Sequence, residues 1–123
     1  MKTFLVVEDS KIIRTIAARA LQDMGFATIE AGDGETALET CKKALPDAVL
    51  LDWLLPKKDG FAFMAEFRKI PGAEDVPVIF CSSKTEPEDI QKALDAGADE
   101  YIMKPFDSEI LKLKINLIEL EPE

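Results

Sequence analysis

The sequence predicts an α/β fold, a doubly wound (βα)5 sheet of parallel strands with helices on both faces, and three observations carry that expectation. Short β-rich runs alternate with longer helical patterns five times along the chain. Three of the β-rich runs are continuous apolar stretches, as expected of parallel strands buried on both faces. The helical patterns between them are long enough for right-handed crossovers, which make successive strands parallel.

The strands are predicted at Phe4–Val7, Phe26–Ile29, Ala48–Leu51, Val78–Cys81 and Tyr101–Met103. The run Phe26-Ala27-Thr28-Ile29-Glu30 is the more polar one and reads as an edge strand. In the first helix Ile12, Ile13, Ile16, Ala17, Ala20, Leu21 and Met24 form one apolar stripe, and Gly25 stops it. Asp33 is the expected N-cap of the second, which carries Ala37, Leu38, Cys41 and Leu45 and is closed by Pro46. Asp59-Gly60 opens the third, with Phe63, Met64 and Phe67 inward. Thr85-Glu86-Pro87-Glu88 combines a capping box with proline in the first turn of the fourth, and Gly97 ends it. Asp107 caps the last helix, expected to run to about Leu120.

Length and composition fit one unit over residues 1–123. A content of 47% hydrophobic and 32% charged residues is that of an ordinary globular chain. The apolar runs are too short to span a bilayer, and the N-terminal one reaches Glu8-Asp9 too soon for a signal peptide. Cytoplasmic location is the expectation. A net charge of −9 argues against binding a nucleic-acid backbone or an anionic membrane. Cys41 and Cys81 are too few for a disulfide framework or metal cluster and read as small apolar residues. The chain has no histidine, which excludes Ser/His and Cys/His catalysis. Neither G-x-G-x-x-G nor G-x-x-x-x-G-K-[ST] occurs, so dinucleotide and P-loop chemistry are not expected.

Ligands of open α/β sheets bind at the carboxyl ends of the strands. There the sequence places Glu8-Asp9-Ser10 after the first strand, Asp52 after the third, Ser82 and Ser83 after the fourth, and Lys104-Pro105 after the fifth. Taken singly, each residue has a plainer role: Asp9 or Ser10 a helix cap, Asp52 a turn former, Ser82 a loop hydroxyl, Lys104 surface charge. Their joint placement points to a site. Three carboxylates cannot crowd together without a counter-charge. Hard oxygen donors suit Mg²⁺, or Mn²⁺, better than zinc.

These residues resemble the receiver domain of bacterial response regulators, the CheY-like, flavodoxin-like family of two-component signalling. The resemblance covers essentially the whole chain. It rests on Glu8-Asp9, Asp52-x-x-x-Pro56-x-x-x-Gly60, Ser82, and Lys104-Pro105-Phe106. It implies a sheet of order 2-1-3-4-5. It further implies that Asp52 accepts a phosphoryl group from a histidine kinase or phosphotransfer protein. Mg²⁺ would be held by Asp9, Asp52 and the Leu54 backbone carbonyl, with Glu8 acting through water. Lys104 would clamp a phosphoryl oxygen and Ser82 would hydrogen-bond the group. Tyr101 would turn inward as the Ser82 hydroxyl moves, and the Lys104-Pro105 bond would be cis. Ser82 stands where threonine is usual, Ser83 where alanine or glycine is, and apolar Leu54 would shield the site from water. Such a protein catalyses only its own phosphorylation and dephosphorylation. It signals by protein contact, or acts as a phosphate sink in a relay.

An aspartate-nucleophile phosphohydrolase uses similar groups but carries a second acid two residues after the nucleophile, where this chain has Leu54. Only Glu121-Pro122-Glu123 follow the last helix, so output is expected through a partner protein or a homodimer. On that helix Leu111, Ile115 and Ile118 would face the sheet. Ile110, Leu113, Leu117 and Leu120 form a second stripe, expected to be a contact face.

Overall fold

The computed structural model describes residues 1–84 and 86–123. Five strands, β1 (Thr3–Val7), β2 (Ala27–Ala31), β3 (Ala48–Asp52), β4 (Val78–Ser82) and β5 (Glu100–Met103), form one sheet. All pairings are parallel and the order is β2-β1-β3-β4-β5, as expected. The helices between and after them are α1 (Lys11–Asp23), α2 (Gly34–Lys43), α3 (Gly60–Phe67), α4 (Pro87–Asp95) and α5 (Ser108–Leu117).

The period-two alternation of a strand divides the core into two layers. Leu5, Val7, Val49, Leu51, Val78 and Phe80 point to one face, where α2, α3 and α4 close over them with Leu38, Phe63, Phe67 and Ala93. Phe4, Val6, Leu50, Ile79 and Ile102 point to the other, under Leu21 of α1 and Leu111 and Ile115 of α5. β2 is an edge strand with a partly exposed face. It begins one residue later than expected, because Phe26 turns in before it to pack edge-on against Phe4.

The helix caps follow side-chain chemistry. Asp33, Asp59 and Asp107 each accept a hydrogen bond from the backbone N–H three residues on. The expected Thr85 cap falls outside the described residues; the N-cap of α4 is Glu86, with Pro87 at the first helical position. α2 stops at Lys43, so Leu45 lies beyond its apolar face and is partly exposed.

Two expectations about helix faces require correction. In α1 the buried residues are Ala17, Ala18 and Leu21, while Ile12 and Ile16 are 74% and 64% exposed. The face against the sheet is turned about a quarter turn from the centre of the isoleucine stripe at 100° per residue. Small alanines at the contact allow close packing there. In α5, Leu111 and Ile115 face the sheet and Ile110, Leu113 and Leu117 are exposed, as expected. Leu120 is not part of that outer stripe. The helix ends at Leu117, Glu119 adopts a left-handed φ of 56°, and the Leu120 N–H donates to the Ile115 carbonyl. This αL termination folds Leu120 back against the core.

Two glycines permit close approaches beside the sheet edge that matters most. A Cβ on Gly34 would lie 2.1 Å from the Lys58 carbonyl oxygen. One on Gly60 would lie 2.8 Å from the Asp52 carbonyl oxygen and 3.2 Å from the Trp53 Cα. Because these are backbone neighbours with no rotamer to yield, Gly60→Ala is expected to lower the unfolding free energy by about 1–3 kcal/mol. A urea titration checks this; a midpoint equal to that of the parent protein would contradict the close approach.

Candidate functional site

Parallel strands deliver their C-terminal ends to a single edge, and four of them bring polar residues there. After β1, the Glu8 N–H donates to the Ala31 carbonyl at 3.1 Å, which ties this turn to β2. The Ser10 N–H donates to Glu8 Oε2 at 3.1 Å, and the Ser10 hydroxyl caps α1 by accepting from the Ile13 N–H. The tight turn leaves Glu8 buried and Asp9 exposed. Asp52 and Ser82 end β3 and β4 and are both buried. Lys104 follows β5, held where its N–H donates to the Ser82 carbonyl at 2.8 Å. Its bond to Pro105 is cis, as expected.

The side chains converge as the sequence predicts. The Lys104 Nζ lies 2.6 Å from Glu8 Oε1 and 3.2 Å from Asp52 Oδ2. Carboxylate oxygens of Glu8, Asp9 and Asp52 lie within 4.8 Å of one another. An all-oxygen set of this compactness is compatible with Mg²⁺. Glu8 has both oxygens engaged, one by Lys104 and one by the Ser10 N–H.

Burial and charge pull these groups apart. Burial, then the Glu8 charge, raises the Asp52 carboxyl from its ordinary 3.8 to about 6, against the opposing pull of Lys104. Burial also pushes the Glu8 carboxyl upward, but the hydrogen bonds from Lys104 and Ser10 outweigh it and hold Glu8 below its ordinary value. Burial depresses the Lys104 ammonium, and its contacts with Glu8 and Asp52 more than restore it. Lys104 therefore stays charged while Asp52 carries the unrelieved strain of the cluster. Cys41 and Cys81 are free and buried, and burial pushes both thiols up to about 12, which fits their reading as apolar residues.

The β4–α4 segment is tied to the site through Lys84, which the resemblance marks only as a position that tunes phosphoryl lifetime. The Ser82 hydroxyl accepts from the Lys84 N–H at 3.1 Å, and the Tyr101 hydroxyl donates to the Lys84 carbonyl at 2.8 Å. Tyr101 is therefore already buried, turned inward in this state. No side-chain signal marks such a link, because Lys84 contributes only its peptide groups to it. Trp53 is also buried, packed edge-on against Phe61 and Phe80, with the Lys84 and Lys92 ammonium groups over its ring at 5.5 and 6.0 Å. Leu54, two residues after Asp52, is 63% exposed.

The response regulator receiver domain family model matches residues 4–116. PhoB of Escherichia coli, a phosphate regulon transcriptional regulatory protein, is 35% identical over 95% of this chain and 51% of its own length. CseB of Streptomyces coelicolor, a transcriptional regulatory protein, is 39% identical over 93% of this chain and 47% of its own. The chain thus spans about half the length of the curated relatives it matches. Among solved structures, Vibrio cholerae CheY4, a chemotaxis response regulator, superposes with a TM-score of 0.91 at 31% identity, covering 96% of this chain and 98% of that one. The receiver domain of the Pseudomonas aeruginosa sensor kinase PA1611, with magnesium coordinated in its active-site cleft, gives 0.85 at 28% identity, covering 97% and 98%. The chain belongs to the response regulator receiver domain family. Receiver domains are signalling proteins that accept phosphoryl groups.

The raised Asp52 value has a consequence for stability. The folded state binds this proton more tightly than the unfolded chain, so the stability contributed by Asp52 is fully present below about 4 and is lost as pH rises through about 6. Above that, ionised Asp52 destabilises the metal-free protein. Asp52→Asn is accordingly expected to raise the stability at pH 7 in EDTA by about 1–3 kcal/mol. Saturating Mg²⁺ should stabilise the parent protein and not the variant. Thermal melts of both, with and without Mg²⁺, check this; a variant less stable than the parent in EDTA would contradict it.

Proposed function

We propose that residues 1–123 form a single cytoplasmic receiver unit that takes a phosphoryl group onto Asp52 from a histidine kinase or phosphotransfer protein, with Mg²⁺ bound. The observation that carries this reading is the burial of Asp52 within 3.2 Å of Lys104 and beside the Glu8-Asp9 pair. A carboxylate oxygen of Asp52 would attack the phosphohistidine phosphorus; a P–O bond forms as the P–N bond breaks, and the imidazole departs with its electron pair. Lys104 would hold one phosphoryl oxygen, exchanging its Asp52 contact for the incoming anion. Ser82 would donate to another, giving up its bond from the Lys84 N–H. Asp9, Asp52 and the Leu54 carbonyl would hold Mg²⁺, which when bound would supply charge neutralisation for the transferring oxygens.

Output would run through protein contacts, in keeping with the net charge of −9. Ile110, Leu113 and Leu117 stand exposed on α5, and this face would carry a homodimer or a downstream protein. A small phosphodonor with Mg²⁺ should add one phosphoryl group to the parent protein by intact mass and none to Asp52→Asn. Lys104→Ala should slow uptake by about a hundred-fold. Equal uptake by Asp52→Asn would overturn the assignment. Leu113→Glu with Leu117→Glu should keep the fold and Asp52 phosphorylation but abolish self-association in sedimentation, or partner capture if the parent is monomeric. Unaltered assembly and capture would exclude this face.

A further inference from the structure

Arg14 of α1 reaches back to the end of β1, with its side chain only 17% exposed. Its Nη1 donates to the Glu8 backbone carbonyl at 2.7 Å, and its Nε donates to Glu30 Oε1 on β2 at 3.1 Å. Gly32 lies close beside the guanidinium: a Cβ there would sit 3.3 Å from Nη1. The carbonyl it grips belongs to the peptide that joins Glu8 to Asp9. One face of that turn is already fixed, since the Glu8 N–H bonds the Ala31 carbonyl and the Ser10 N–H bonds the Glu8 carboxylate. Arg14 fixes the remaining degree of freedom, the rotation of the Glu8–Asp9 peptide plane. Asp9 is exposed and its carboxylate lies against that of Glu8 on the same turn, so the peptide plane that Arg14 holds carries both.

We propose that Arg14 is a positioning residue for the cation site, holding the Glu8–Asp9 peptide so that the Asp9 carboxylate meets that of Asp52 before any ion arrives. The proposal rests on the phosphoacceptor reading above and deepens it. Arginine suits the arrangement, because two donors in a rigid fork reach a carbonyl at the end of β1 and a carboxylate on β2 together. A lysine at position 14 carries its donors on one nitrogen at the end of a flexible stem, without the planar fork that fixes the spacing of the two anchors. Glu30 has a part in the same device, as the anchor that keeps the guanidinium in place.

The test is Mg²⁺ affinity by calorimetry and Trp53 fluorescence, beside melts in EDTA and phosphorylation rates across Mg²⁺ concentrations. Residues that orient metal ligands typically change affinity by about ten-fold or more, and Arg14→Met is expected to weaken Mg²⁺ binding to that extent. Arg14→Lys should recover only part of the loss, and Glu30→Ala, altered at a partly exposed position, should weaken binding about two- to three-fold. Phosphorylation by a small donor should show a raised half-saturation for Mg²⁺ and recover as Mg²⁺ is raised, which a merely structural role would not produce. Parental affinity in a folded Arg14→Met overturns the proposal. Should Arg14→Met fail to fold, parental affinity in both Arg14→Lys and Glu30→Ala overturns it equally. Failure of the parent protein itself to bind Mg²⁺ would instead sink the phosphoacceptor reading, so the two outcomes are distinct.

Discussion

One ammonium group, that of Lys104, balances a carboxylate cluster too crowded to stand alone, and the rest of the structure serves that arrangement. Glu8, Asp9 and Asp52 lie within a few ångströms of one another, with Lys104 in contact with Glu8 and Asp52. Three acids against one base leave the cluster short of positive charge, and Asp52, the most constrained member, shows it by its raised affinity for a proton. A hard divalent cation would relieve the deficit, and a transferred phosphoryl group would find both counter-charges in place. The strand order is what makes this possible. β1 and β3 are neighbours, so the acid pair and Asp52 fall side by side, while β4 and β5 bring the hydroxyl and the lysine to the same edge.

The same edge is joined to the outer faces of the domain through backbone groups. Lys84 links Ser82 to Tyr101 by its N–H and its carbonyl, so a ligand that took the Ser82 hydroxyl would loosen one side of this link. Tyr101 stands on β5, whose chain continues through Lys104 into α5. On the other side, Trp53 follows Asp52 directly and packs with Phe61 and Phe80 beneath the Lys84 and Lys92 side chains. Asp52 is thereby adjoined by a buried aromatic cluster that also meets Lys92 in the last turn of α4. The close approach of Gly60 to the Asp52 carbonyl gives this loop little slack.

Most of this was legible in the sequence because parallel strands are written as apolar runs and their ends as the first polar residues after them. Glu8, Asp9, Asp52, Ser82 and Lys104 were found that way, and the structure brings them together. What was not legible depended on rotation or on backbone groups. The α1 isoleucines match a helical stripe, but periodicity does not say which side of a broad stripe meets the sheet, and alanines won because they pack closer. Leu120 continues the outer α5 spacing only if the helix continues, and the left-handed turn at Glu119 ends that continuity. Arg14 reads as one more surface cation, since its partners, the Glu8 carbonyl and the Glu30 carboxylate, meet it only after β1, β2 and α1 have assembled. Lys84 acts through peptide groups that every residue shares.

Titration of the Asp52 carboxyl by carbon-13 NMR, in the metal-free parent and in Lys104→Met, tests most directly the claim that Lys104 is the balancing charge. The account predicts a parental midpoint near about 6, above the ordinary carboxylate range, and a further rise once Lys104 is removed. A parental midpoint near about 4, or one that does not move in Lys104→Met, would contradict it.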